Sequence, residues 1–202
     1  MRLYKVFPVA LVLAVVSIAS AEPAQVASPV SGAGGQGKAP RPVPTFEVGL
    51  GYTYLHANAP PGTCECFSFN GGYGVFVANL PHGLSVVGDI SAATASNISG
   101  TTEGLTVVNY LFGPRYSWRP GSGRFTTYGQ FLLGGSSQSS NIAAVPHVSA
   151  FAYSPGGGVS VGLSRHFGLN LGEVDWLHSQ LPNAGNNRQN DLRISSGVLF
   201  RF

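Results

Sequence analysis

Charge is what this chain has least of. Asp, Glu, Lys and Arg make up 9% of its 202 residues, where a soluble globular domain carries about 25%, so an ordinary water-facing surface cannot be built from it. The scarcity also excludes nucleic acid as a partner. Lys and Arg total 11 against 8 Asp and Glu, and no basic stripe runs along any segment. Cysteine is nearly absent: Cys64 and Cys66 stand in one Cys-Glu-Cys triplet, without the paired spacing of a structural zinc site. His56, His82, His147 and His166 fall on separate connections or strand ends, so no metal and no cofactor is expected. Long apolar runs are missing too. Val6 to Ile18 is interrupted by Pro8 and falls short of the roughly 20 residues of a membrane-spanning helix. What is plentiful is glycine, at 28 residues, and apolar side chains, at 44% with 11% aromatic, a mixture that fits neither collagen nor a disordered chain.

The apolar run follows Arg2 and Lys5 and ends in Ala19-Ser20-Ala21, a small-x-small cleavage pattern, so residues 1–21 read as a secretory signal peptide. No Cys adjoins the cleavage point, which argues against a lipoprotein. Without Arg2 and Lys5 the mature chain is nearly neutral. Residues 22–44 hold Pro23, Pro29, Pro40, Pro42 and Pro44 and no aromatic residue; a segment this poor in apolar surface cannot order itself. It is expected to be a disordered Pro/Gly/Ala-rich periplasmic leader acting as a spacer.

From Phe46 onward the apolar pattern has period two. FEVGLGYTYLH puts Phe46, Val48, Leu50, Tyr52 and Tyr54 on one face and Glu47, Gly49, Gly51 and Thr53 on the other. The alternation recurs in segments at about 46–56, 69–79, 84–95, 104–118, 124–137, 149–164, 166–177 and 191–202. Connections alternate between short (80–83, 119–123, 164–166) and long (57–68, 96–103, 138–148, 178–190). A soluble β-sandwich also alternates, but its outer face meets water and is polar. Here the large apolar residues share one face while Gly, Ser, Asn and the few charges share the other. The expected fold is therefore all-β: an eight-stranded antiparallel transmembrane up-and-down barrel over 45–202, short turns on the periplasmic side and long loops outward. Tyr116 and Trp118, beside a short turn, fit an interfacial aromatic girdle.

The first-strand VGLGYTYLH, GPRYSWR at 113–119, GGGVSVGLSRHFGLNLGEVDWLHSQ at 156–180 and the terminal NDLRISSGVLFRF together resemble the OmpA-like outer-membrane β-barrel domain family, in its porin-like acidobacterial branch. The resemblance implies a Gram-negative outer membrane as location. It also implies that Phe200 and Phe202, on the alternating last strand, form the signal read by the outer-membrane assembly machinery.

Alternation places Glu47, Asp89, Arg115, Arg193 and Arg201 inside the barrel. Phe167, Leu169 and Leu171 share a parity with Glu173 and Asp175, and the two carboxylates are assigned inward because lipid exposure would cost several kcal/mol. Opposite charges in so narrow a lumen should pair and act as a plug. Asp175, His178 and Ser179, near the outer rim, are the nearest thing to a catalytic set, and ordinary loop-end polarity explains them as well; no catalytic residue is assigned. For Cys64 and Cys66, a bridge spanning one residue is strained and reducible, which leaves a loop clip, a reactive pair and an intermolecular disulfide all open. The expected protein is a non-enzymatic monomer with a structural or surface-interaction role, in contact with outer-membrane lipid and with an unknown surface ligand at its long loops. A narrow channel for ions or small solutes is the alternative, and a lipid-modifying enzyme comes third.

Overall fold

A computed structural model describes residues 42–57, 68–96, 104–121, 123–140, 147–182 and 187–202. The expected signal peptide, the leader up to residue 41, and Cys64 and Cys66 lie outside these residues. Eight strands follow one another: β1 (Phe46–His56), β2 (Ser68–Asn79), β3 (Leu84–Ser96), β4 (Gly104–Trp118), β5 (Phe125–Ser140), β6 (Val148–Gly162), β7 (Phe167–Ser179) and β8 (Gln189–Arg201). Each pairs antiparallel with its neighbours in sequence, and β8 pairs with β1, so the sheet is a closed barrel without a free edge.

Closure runs from Glu47 opposite Arg201 to His56 opposite Leu192. It is extended at the rim by Thr45 N–H donating to the Phe202 carbonyl at 2.8 Å and by Phe202 N–H donating to the Phe46 carbonyl at 2.9 Å. The short turns share that rim. In two of them a backbone bond closes the hairpin, Leu80 N–H to the Leu84 carbonyl at 2.8 Å and Leu163 N–H to the Phe167 carbonyl at 3.0 Å. At the opposite rim the strands run up to three residues beyond the lengths read from sequence, to Ser140 in β5 and Ser179 in β7. Polar side chains there mark where the apolar band ends, and the backbone ladder continues past it.

The wall is inverted relative to a soluble protein. Phe112, Ile90, Leu50, Tyr116 and Trp118 point outward at 57–65% exposure, while Arg193, Glu173 and Asp175 inside the barrel are at most 2% exposed. The inner face is less uniformly small and polar than its parity pattern suggests. Leu55, Phe69, Val107 and Leu177 line its long-connection end, and Val75, Val87, Leu111 and Leu132 lie deeper. An eight-stranded barrel is filled by its own side chains, and close packing needs bulk wherever no polar partner is in reach.

Strand β7 departs from simple alternation. Across β6, Val159 pairs with Gly172 and Ser160 with Asn170, leaving Leu171 unmatched. Across β8, Asn170 pairs with Gly197 and Glu173 with Ser195, so Leu171 and Gly172 together face Ser196. This β-bulge inverts the parity. Phe167, Leu169 and Leu171 therefore do not share a face with Glu173 and Asp175: the apolar three point outward and the carboxylates inward.

Candidate functional site

The bulge delivers two carboxylates to the middle of the lumen, where Arg193 of β8 meets them. Its guanidinium lies 2.8 Å from Asp175, its direct cross-strand partner, 3.5 Å from Glu173 and, across the lumen, 2.6 Å from Asp89 of β3. Arg115 of β4 approaches from another side, 3.4 Å from Glu173, with two bonds to Gln130 Oε1 at 2.6 and 3.0 Å and its guanidinium 3.9 Å above the Tyr128 ring. Tyr128 donates to Glu173 Oε2 at 2.6 Å, Gln130 donates to Asp175 Oδ1 at 3.0 Å, and Asn170 donates to the Tyr73 hydroxyl at 3.0 Å. Strands β2, β3, β4, β5, β7 and β8 thus all contribute to one connected layer.

A second layer closes the short-turn end. Arg201 Nε donates to Glu47 Oε2 at 3.2 Å across the β8–β1 seam. Arg119 stands 4.0 Å from Glu47 Oε1 and donates to Asn79 Oδ1 at 3.0 Å. Partial burial lowers the Arg119 pKa from its ordinary value, the Glu47 carboxylate opposing the shift. Taken together, the ion pairs join Glu47, Asp89, Glu173 and Asp175 to Arg115, Arg119, Arg193 and Arg201, four carboxylates to four guanidiniums. Between the layers, lined by Asn79, Arg115, Tyr128 and Glu173 among others, about 10 Å³ remains, no more than one water needs.

Small residues on β6 make room for the mid-lumen layer. A Cβ on Gly156, the register partner of Asp175, would collide with Asp175 Oδ1, and one on Gly158 would stand 2.6 Å from the Tyr128 hydroxyl. Gly156 and Gly158 therefore leave the space that the plug occupies.

All seven interior charges named from sequence lie inside the barrel, Asp89, Arg115, Glu173, Asp175 and Arg193 in the mid-lumen layer and Glu47 and Arg201 in the short-turn layer. Arg119, Tyr73, Tyr128, Gln130 and Asn170 were missed. Arg119 sits just past β4 and read as part of a short turn, whereas the parity of Thr126 and Gln130 already marked Tyr128 as inward-facing. Asp175, expected near the outer rim, lies in the mid-lumen layer. His178 points to the opposite face, bonded through Nδ1 to Asn190 Oδ1 at 2.7 Å, and Ser179 Oγ is buried without a hydrogen-bond partner. Residues three apart on a regular strand face opposite ways, so these three do not form a catalytic set. His56, His82, His147 and His166 are dispersed around both rims. Phe200 points outward, and Phe202 is 68% exposed at the barrel seam.

Compared by sequence, the chain matches no protein-family model and no curated protein. Compared by structure, it is similar to Neisserial surface protein A, with a TM-score of 0.61 and 13% identity over 78% of this chain and 97% of that one. Ail, the attachment invasion locus protein of Yersinia pestis, gives a TM-score of 0.56 and 11% identity over 79% of this chain and 99% of its own. The outer membrane protein OprG of Pseudomonas aeruginosa gives 0.51 and 12% over 81% and 98%. These likenesses are of fold.

Proposed function

We propose that the protein is an integral outer-membrane barrel with a closed lumen, whose role is structural or surface contact through its four long connections and which carries out no catalysis. The observation that carries this reading is Arg193, 1% exposed and held by carboxylates of β3 and β7 at the centre of the lumen. A lumen occupied by balanced ion pairs, with space for about one water beside them, resists solute passage and braces the wall. Bulky apolar residues outside and polar groups inside suit a hydrocarbon surround, and the three structural neighbours, one named an attachment invasion locus protein and one a surface protein, support a place at the cell surface. The barrel works as a monomer, surrounded by outer-membrane lipid and delivered by the assembly machinery that reads Phe200 and Phe202.

Two measurements test the reading together. In planar bilayers the refolded protein should show no resolved conductance steps at neutral pH. On intact cells a protease-sensitive tag placed within 178–190 should be cleaved, and one within 119–123 should not. Steady conductance of the unaltered protein replaces this reading with that of a narrow ion or solute channel, and the reverse tag pattern inverts the topology.

A further inference from the structure

Charge is shared unequally between the two rims. At the long-connection rim the described residues hold one charge of each sign, Arg188 and Asp191, and both are engaged. At the short-turn rim Arg119, Arg124, Arg165 and Arg201 stand against one acidic side chain among the described residues, Glu47. Glu47 is taken up by Arg201 and Arg119. Arg124 and Arg165 remain, both exposed, and neither enters an ion pair among the described residues. Arg124 leads into β5, and Arg165 sits in the turn between β6 and β7. The two segments are latched together by Gly162 N–H, which donates to the Arg124 carbonyl at 2.7 Å. The Arg165 turn is itself clasped: Leu163 and Ser164 N–H both donate to the Phe167 carbonyl at 3.0 Å, and Ser164 Oγ accepts from the N–H groups of His166 and Phe167. A turn fixed in this way presents its side chain with little further ordering of the backbone.

What lies beside the two arginines identifies their ligand. The outer wall at this end carries Trp118, Phe125, Leu163 and Phe167, each about half exposed, and aromatic rings at strand ends mark the headgroup level. A guanidinium is a planar fork for phosphate, and its stem can lie along apolar surface while its head stays in the interface. The ligand must therefore offer hydrocarbon as well as an anion, which an acidic peptide does not. Since Glu47 is already paired, a headgroup ammonium would meet only like charge among the described side chains of this rim. From this combination we propose that Arg124 and Arg165 form a site for the phosphate of a diacyl phospholipid whose headgroup is anionic and lacks an ammonium, drawn from the leaflet around the short turns. Its acyl chains run along Phe125, Leu163 and Phe167. The inference rests on the lipid-facing wall of the reading above and is independent of the closed lumen.

The test uses the full folded barrel in detergent, with phosphatidylglycerol as the probe, phosphatidylcholine of the same acyl chains as its competitor, and retention read by native mass spectrometry. The unaltered protein should prefer phosphatidylglycerol by more than tenfold. Arg124→Gln and Arg165→Gln should each lower that preference about fivefold, the effect of one cation facing anionic lipid, and the double variant should hold the two lipids equally. Arg188→Gln, at the other rim, should keep the full preference. Each variant is first shown to keep its heat-dependent shift in electrophoretic mobility, so that misfolding is not read as lost binding. Equal retention of the two lipids by the unaltered protein overturns the proposal, as does a preference that survives in the double variant. Displacement of phosphatidylglycerol by polyglutamate of equal total charge also overturns it, in favour of an acidic protein partner. These outcomes leave the barrel reading standing, whereas an unaltered chain with no heat-dependent shift would overturn the lipid-facing wall and this site with it.

Discussion

Arg193 carries more of the interior than any other side chain. A guanidinium removed from water is tolerable because three carboxylates surround it, and the converse holds: remove it, and those carboxylates face one another across a dry lumen. Arg193→Leu should therefore cost about 3–5 kcal/mol of unfolding free energy, measured by urea titration of the refolded barrel. Combining it with Asp175→Asn should recover part of that loss, and strictly additive losses would show that the pair does not interact. At this scale the sequence was informative about which charges turn inward, because parity along a strand is a local property. It was silent about partners. Asp89 and Arg193 are 104 positions apart, and their meeting depends on the curvature of the closed wall and not on any spacing in the chain. Tyr128 was overlooked for another reason: an aromatic residue in a barrel strand reads as lipid-facing, although its parity with Thr126 and Gln130 turns it inward, where its hydroxyl bonds Glu173.

Among the strands, β7 is the one whose regular alternation would be fatal. Continued parity would set Glu173 and Asp175 beside Phe167 and Leu171 in hydrocarbon, at about 2–3 kcal/mol each near the midplane. The extra residue at Leu171 and Gly172 rotates the rest of the strand by one step. Deleting Leu171 should remove the bulge and restore a regular ladder with both carboxylates still inward, because Asn170 and Glu173 then stand two apart on the inner face. The expected result is a chain that still reaches the heat-modifiable folded form in detergent, and failure to fold would show that the bulge does more than set the parity of the two carboxylates. The conflict between apolar and acidic residues on one parity was visible in the sequence, but the bulge that resolves it was not, since a one-residue slip has no composition signature of its own. Strands β1, β3 and β8, which alternate throughout, match their sequence reading to within two residues.

At the scale of the whole molecule, eight strands, their order and the two kinds of rim were all legible, because each depends on local alternation and on connection length. The apolar filling of the lumen was not, since the size of the space to be filled emerges only when the sheet closes. Closure itself sits at a particular place. Glu47 and Arg201 face each other across the seam, and the backbones of Thr45 and Phe202 are hydrogen-bonded at the short-turn rim. In topological terms the wall is a necklace cut once, and nothing in its pairing distinguishes that cut from any other short turn. A circular permutant that joins residue 202 to residue 45 through a few glycines and opens the chain at Gly121 should therefore refold in detergent to the same barrel, judged by its heat-dependent mobility and β-type circular dichroism. In cells the same permutant would present Trp118 and its neighbours, in place of Phe200 and Phe202, as its last aromatic residues. A permutant that refolds in detergent but fails to reach the membrane in cells would separate what the strands need in order to pair from what the cell needs in order to deliver them.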